Sequence, residues 1–180
     1  MAGLVVHDFD EVGVPSGADK GWRQRSLEQW VRRAVEYQRD GFDMLLLGQS
    51  PLGEVLASPS AVELDGIATC VLDVADDERR RRLEQRDAGK WSDQARDAFV
   101  GWARWHRGHA VDPRHMPAVI TEGSWAGMRW ERWSDWRAGD QRWTVPILDT
   151  SDIRVEQASA ALLRWVTEAR TARPANPVRA

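Results

Sequence analysis

Four short apolar runs, each ending in polar residues, limit the fold of this chain more than any other feature. They span residues 4–7, 44–48, 67–73 and 143–148, and helix-like or charged segments separate them. Runs this short that are apolar at successive positions are typical of strands buried on both faces. The sequence therefore predicts an α/β fold, with a parallel sheet of four or five strands covered by helices on both faces.

The segments between these runs carry helix signals. Apolar side chains recur at a spacing of three to four over residues 26–40, and Gly41 stands where a helix C-terminus is expected. Three acidic residues open a charged helix over residues 76–86, and a helix with apolar inner positions is predicted from residue 155. We expect a single domain over residues 1–172, with a Trp-rich helical insert or lid at 91–139 and a disordered tail at 173–180.

Polar residues follow the apolar runs at the ends where parallel sheets bind ligands. Asp8 and Asp10 stand two residues apart, so on a strand both side chains would point to the same face. One would then act as a base or contact a magnesium-bound water, while the other would hold a substrate hydroxyl. The alternative is an acid pair that caps nearby backbone amides.

The order of these motifs resembles that of P-loop NTPases of the small-molecule kinase kind, such as shikimate, gluconate and adenylate kinases. The stretch HDFDE is similar to the acidic second strand of that family, and LLLGQSPLGE to the strand that faces the phosphates. CVLDVADDERRRRLEQR is similar to the strand and arginine-bearing helix that lead into the lid. TVPILDTSDIRVEQASAALLRWV is similar to the closing strand, the purine-side loop and the last helix. The resemblance covers residues 4–169.

The resemblance implies a phosphotransferase that uses ATP and Mg²⁺ and acts on a small metabolite. It implies catalytic roles for Asp8 and Asp10. The substrate would contact Gln49 and two arginines, Arg82 and Arg86, while Asp149 and Thr150 would lie beside the nucleotide. Arg79, Arg82 and Arg86 share one helix face, where guanidinium groups would clamp the transferred phosphate. The alternative is a solvated basic face balanced by the acids at residues 76–78.

One departure from the family pattern is large. The signature G-x-x-x-x-G-K-S/T, whose amides and lysine cradle phosphates, has no match in the chain. Residues 13–20 read G-V-P-S-G-A-D-K, with Asp19 at the position of the second glycine, and Gly89-Lys90 is followed by Trp91. Either the chain begins late or it is a natural form without that loop. On this resemblance the sheet lacks a central strand, which predicts an apolar gap and unpaired strand edges that a homodimer or a partner chain would cover.

Tryptophan is unusually frequent, because the chain has 11, of which eight lie between Trp91 and Trp143. Arginines alternate with them, a pattern that can stack nucleic-acid bases or a flat substrate. Their helical spacing equally fits the core of a small helical subdomain, which we favour for most of them. Trp105 is the one that we assign to the substrate cleft. A single-strand nucleic-acid binder is the less favoured alternative, since the net charge is −3.

Two other chemistries lack the residues that they need. A hydrolase nucleophile at Ser50 would need glycine at position 52, which is leucine, and Pro51 removes the backbone N–H of an oxyanion hole. His106, His109 and His115 do not have the spacing of a zinc motif, so no protein metal site is predicted.

The bulk composition indicates a soluble cytoplasmic protein that binds a small molecule. With 25 basic and 28 acidic side chains, the chain has no excess positive charge for nucleic acid or anionic membranes. Cys70 is its only cysteine, and no apolar run approaches the roughly 18 residues of a membrane span. A non-catalytic module with a kinase-like fold, which binds a ligand or a partner, remains the main alternative to an enzyme.

Overall fold

A computed structural model describes residues 3–179, of which about half are helical. The strands are β1 (Leu4–Asp8), β2 (Asp43–Leu47), β3 (Val71–Asp73) and β4 (Ile147–Asp149). The helices are α1 (Lys20–Arg39), α2 (Leu52–Ala57), α3 (Asp76–Arg86), α4 (Asp93–Val111), α5 (Ala118–Thr121) and α6 (Val155–Ala172). Short 3-10 helices lie at Phe9–Val12, Pro59–Glu63 and Trp130–Arg132. No helix within residues 3–179 is long and apolar enough to cross a membrane.

The strands form two separate parallel pairs. β1 pairs with β2 from Leu4 opposite Asp43 to Asp8 opposite Leu47, and β3 pairs with β4 over three residues. Across the described part of the chain, no ladder joins the two pairs. The prediction of one sheet of four or five strands is therefore wrong. An apolar run marks where a strand can form, but a sheet also requires a neighbour for each edge, and β2 and β3 face a cleft instead.

The first core lies between α1 and the β1–β2 pair. Asp19 caps α1, since its carboxylate accepts a hydrogen bond from the backbone N–H of Trp22 at 2.6 Å. The helix thus begins six residues before the predicted start at Ser26. Its buried face packs Leu27 and Trp30 against neighbouring apolar residues, and the indole N–H of Trp30 donates to the carbonyl of Phe9 at 3.1 Å.

The second core is a tryptophan cluster built around α2. It contains Leu52, Leu56, Trp105, Ile120, Trp133, Trp136 and Trp143. The insert predicted to be helical over 91–139 is helical in α4 and in the short α5, but residues 122–139 form only the 3-10 turn at Trp130–Arg132. In that segment the indole N–H of Trp133 bonds to the carbonyl of Gly53 at 2.8 Å, so tertiary packing replaces a regular helix.

The C-terminal residues pack against the 3-10 helix at Pro59–Glu63. The side-chain amide of Asn176, which is buried, donates to the carbonyls of Ala61 and Leu64 at 2.6 and 2.7 Å. Arg179 donates to the carbonyls of Val62 and Glu63. In the structure, residues 173–179 thus make ordered contacts where the sequence predicts a disordered tail.

Gly53 lies where α2 approaches the tryptophan cluster. A Cβ there would stand 2.8 Å from Nε2 of His109 and 2.8 Å from the ring of Trp133. We expect Gly53→Ala to lower the free energy of unfolding by about 1–3 kcal/mol, because the core cannot take an extra methyl group. Gly101 is the matched control, since it lies in α4 with open space around it, and Gly101→Ala should stabilise by about 0.5–1 kcal/mol. Urea denaturation measures both, and equal effects of the two changes would contradict this packing.

Candidate functional site

A large cleft lies between β2 and β3, with a volume of about 1530 Å³. Its walls are β2, the segment 64–74 that leads into and includes β3, and inward faces of α3, α4 and α6. Five arginines and three aspartates line it, namely Arg79, Arg82, Arg86, Arg170, Arg173, Asp43, Asp65 and Asp73. The cleft is the candidate site because it contains the ends of strands from both pairs.

Arginines converge at the carboxyl end of β3. Asp73 is buried there, and its two carboxylate oxygens accept hydrogen bonds from Arg79 at 2.8 Å and from Arg107 at 3.0 Å. Arg107 also donates to Asp76 at 2.6 Å, and this bond, with a second from Arg104, holds the pKa of Asp76 below its usual value. Arg79 and Arg107 thus pair with both Asp73 and Asp76, so neither carboxylate is left without a cation.

The two arginines predicted to bind substrate both line the cleft. Arg82 donates to the carbonyl of Thr150 at 2.7 Å and to Glu78 at 2.7 Å, so it spans from α3 to the segment after β4. Arg86 is more exposed, and its guanidinium donates to its chain neighbour Asp87 at 2.8 Å. Arg81 does not line the cleft and pairs with Glu78 on the solvent side, where it provides a natural comparison.

Gln49 lies at the cleft as predicted, but Trp105 does not. Gln49 follows β2, and its side-chain carbonyl accepts a 2.6 Å hydrogen bond from the indole N–H of Trp102. Trp105 is buried behind Trp102, with ring centroids 4.8 Å apart, and donates to the carbonyl of Met116. Trp102 is therefore the tryptophan of α4 that lines the cleft, and Trp105, which we assigned to the substrate cleft, is a core residue.

Asp8 and Asp10 lie away from the cleft walls. Asp8 ends β1 and caps the following 3-10 helix, where its carboxylate accepts from the backbone N–H of Asp10 at 2.9 Å. Asp10 belongs to that 3-10 helix, so the two side chains do not share a strand face as the sequence predicted. The capping alternative describes Asp8 as the structure places it.

Asp149 and Thr150 end β4 beside the cleft mouth. The hydroxyl of Thr150 donates to the carbonyl of Asp73 at 2.8 Å, and its backbone N–H donates to the same carbonyl. Asp149 accepts from the hydroxyl and backbone N–H of Ser151, and these bonds hold the pKa of Asp149 below its usual value. The bonds between Thr150 and Asp73 thus join the ends of β4 and β3, and Arg82 links Thr150 to α3.

Several polar atoms of residues that line the cleft are buried without a hydrogen-bond partner. His106 on α4 is half-buried, its buried Nε2 has no hydrogen-bond partner, and desolvation lowers its pKa to about 4, so the ring is neutral. The Nε of Arg79 and the hydroxyls of Ser50 and Thr69 are likewise buried without partners. Trp102 and His106 are four residues apart, so they share one face of a helix. This spacing is the sequence signal that could have placed both at the cleft.

A buried ion pair braces the wall near Gln49. Glu54 is fully buried, and Arg23 contacts both of its oxygens, at 2.5 and 2.7 Å. Gln24 adds a bond at 2.9 Å, and Arg23 also donates to the carbonyl of Gln49 at 3.1 Å. Burial nevertheless raises the pKa of Glu54 above its usual value. No sequence signal separates this glutamate from an exposed helix residue.

The histidines considered as metal ligands, His106, His109 and His115, do not belong to a cluster of ligating side chains in the described part of the chain. Within residues 3–179 no three or more His, Cys, Asp or Glu side chains are grouped so as to hold an ion. His109 is packed among Trp105, Trp133 and Trp143, and burial lowers its pKa to about 3. It therefore acts as a neutral core ring.

Comparison of the chain with protein-family models, curated proteins and solved structures finds no match.

Proposed function

We propose that this protein binds a phosphate-bearing small molecule, such as a nucleotide, in the part of the cleft next to the carboxyl ends of β2 and β3. The observation that carries the proposal is the convergence of Arg79, Arg82 and Arg86 from one face of α3 on a cleft bounded by strand ends. Guanidinium forks match phosphate oxygens in geometry and charge. Trp102 lines the same cleft, so an aromatic ring as well as guanidinium groups borders the proposed ligand.

Phosphoryl transfer is the reaction that this site would serve. The resemblance to small-molecule kinases supports it, as do the arginines beside the strand ends. Transfer depends on positioning and on neutralising phosphate charge, which a phosphate loop normally supplies. We therefore expect the 180 residues alone to bind the ligand and to be poor at transfer. Magnesium enters only as a partner of the nucleotide phosphates.

A matched pair of arginine substitutions tests the phosphate site. Calorimetric titration with ATP, with and without Mg²⁺, should give binding that Arg86→Met weakens about tenfold or more, because one charge-assisted hydrogen bond contributes roughly 1.5–3 kcal/mol. Arg81→Met on the same helix, whose side chain lies outside the cleft, should change affinity less than about twofold. Arg86 is preferred to Arg82 because Arg82 also holds Thr150 in place.

The proposal fails if ATP and inorganic tripolyphosphate give no binding up to about 1 mM, or if Arg81→Met and Arg86→Met weaken it equally. Single-stranded nucleic acid is a weaker candidate, since four of the tryptophans, Trp105, Trp133, Trp136 and Trp143, are buried in the core. We place the activity in the cytoplasm, where the thiol of Cys70 would stay reduced.

A further inference from the structure

The facing edges of β2 and β3 have no strand partner in the part of the chain that the structure describes. β2 is hydrogen-bonded to β1 alone, and β3 to β4 alone. Both strands line the same cleft. The backbone N–H and C=O groups on a strand edge need partners, and two open edges that face one cavity are a template for added backbone.

The two open edges run in the same direction. Their carboxyl ends both meet α4, because Trp102 donates to Gln49 just beyond β2 and Arg107 donates to Asp73 at the end of β3. The amino ends both meet the end of α6. Arg170 bonds to Asp43 at the start of β2 at 2.7 Å, and Gly66, ahead of β3, packs against the carbonyl of Pro174. A strand between them could therefore pair in parallel with both.

One helix holds both strand ends. Trp102 and Arg107, which contact them, are five residues apart on α4, a rise of about 7.5 Å along the helix. Two strands with a third between them lie about 9.5 Å apart. The span on α4 is thus of the same order as the separation that one inserted strand requires.

The chemistry of the cleft indicates an apolar occupant. Leu47 on β2 and Leu72 on β3 are 38% and 48% exposed, although their sequence pattern is that of strands buried on both faces. Leu162 and Trp165 of α6 extend the apolar wall. The volume of about 1530 Å³ exceeds the roughly 300–1,000 Å³ of ordinary small-ligand pockets. The buried hydroxyls of Ser50 and Thr69, which lack partners, could accept or donate bonds to an inserted backbone.

We propose that the cleft receives one apolar β-strand that runs parallel to β2 and β3 and bonds to both edges. This strand belongs to a polypeptide segment that is not among the 180 residues. An apolar small molecule would cover Leu47 and Leu72 but would leave the edge N–H and C=O groups unpaired, which argues for backbone as the occupant. The proposal does not rest on the phosphate site, because it concerns the strand edges and not the arginines.

Hydrogen exchange with strand peptides tests the proposal directly. The probes are a panel of synthetic peptides of about eight residues, with apolar β-branched cores between lysines. Amides of β2 and β3 should exchange rapidly in the free chain and at least about tenfold more slowly with a binding peptide, whereas amides in the middle of α1 should not change. The matched control peptide has the same side chains but N-methylated backbone amides, which keeps its apolar surface and removes its donors.

Cys70 provides a second readout from the unmodified chain. It is the only cysteine, it lies in the segment just before β3, and it lines the cleft. Burial raises its pKa to about 11, so alkylation is slow and sensitive to access. A peptide in the cleft should slow alkylation of Cys70 by about tenfold or more, and the N-methylated peptide should not.

Three outcomes would overturn the proposal. No member of the panel slows exchange in β2 and β3 or alkylation of Cys70. The N-methylated peptide protects as well as its parent, which would make the cleft a site for apolar surface alone. Protection of β2 and β3 in the free chain rises with protein concentration, which would make a second copy the occupant.

Discussion

Arg23→Met is expected to lower the free energy of unfolding by about 3–5 kcal/mol at neutral pH, because it leaves a buried carboxylate without its cation. Arg23 contacts both oxygens of Glu54, which is fully buried in α2. Gln24 would still donate one hydrogen bond to Glu54, but an amide does not balance a charge. Urea denaturation followed by tryptophan fluorescence measures the loss.

The loss should shrink as the pH falls. Burial already raises the pKa of Glu54 in the folded protein, and Arg23 is the main group that opposes this shift. Without Arg23 the folded carboxyl holds its proton to higher pH still, so the folded state binds more protons than the unfolded one near neutrality. Stability of the variant is therefore greatest below the usual glutamate pKa and is lost as the pH rises through the raised folded value. The difference from the unmodified chain should be smaller at about pH 5 than at about pH 7.

Arg32→Met is the control for this prediction. Arg32 pairs with Glu28 at 2.7 Å, but its side chain is 66% exposed, and Glu28 keeps two bonds from Ser60. Such exposed pairs contribute about 0–1 kcal/mol. Equal losses for Arg23→Met and Arg32→Met, or a loss that does not depend on pH, would show that Glu54 is not held as a buried ion pair.

Local signals in the sequence predicted the elements better than their assembly. The helix over 76–86 has the predicted bounds, and the last helix begins at Val155 as predicted, because acidic first turns and apolar spacing are local features. β3 and β4 end at Asp73 and Asp149, where the apolar runs end. Strand pairing depends on groups far apart in the chain, and no local pattern shows that the cleft separates β2 from β3.

The same division holds for the candidate site. Gln49 and Asp73 line one cleft, and Thr150 bonds to Asp73, because strand polarity, which the sequence reveals, places all three at carboxyl ends. Asp8 failed to join them because a 3-10 helix begins directly after it and uses its carboxylate as a cap. His106 reaches the cleft only through the packing of α4, which the sequence does not specify.

The tryptophan cluster fixes the position of α4 and therefore the wall of the cleft. Trp105 stacks on Trp102 with ring centroids 4.8 Å apart and on His109 at 4.6 Å. His109 in turn contacts Trp133, whose ring reaches α2. The rings thus form a continuous packed path from α2 to the face of α4 that presents Trp102 and His106 to the cleft.

Trp133→Ala should consequently lower the free energy of unfolding by about 3–5 kcal/mol, the usual loss for truncating a buried indole. Trp133 is 3% exposed, and its N–H is the donor to the carbonyl of Gly53 at 2.8 Å. Trp133→Phe keeps most of the aromatic packing but removes the indole N–H that donates to that carbonyl, so its loss should be smaller, about 0.5–1.5 kcal/mol for the hydrogen bond. Chemical denaturation followed by circular dichroism avoids dependence on the deleted fluorophore.

Trp91→Ala separates the effect of the cluster from that of losing any tryptophan. Trp91 lies at the start of the Trp-rich segment, contacts Phe99 edge-on at 5.2 Å and donates to Asp87, but it is outside the buried cluster. Its replacement should cost about 1 kcal/mol or less. If Trp133→Ala is no worse than Trp91→Ala, the cluster does not support α4. If its loss is large, exchange of the β3 amides beside α4 should also speed up in the folded variant, because the wall that holds Asp73 is loosened with the helix.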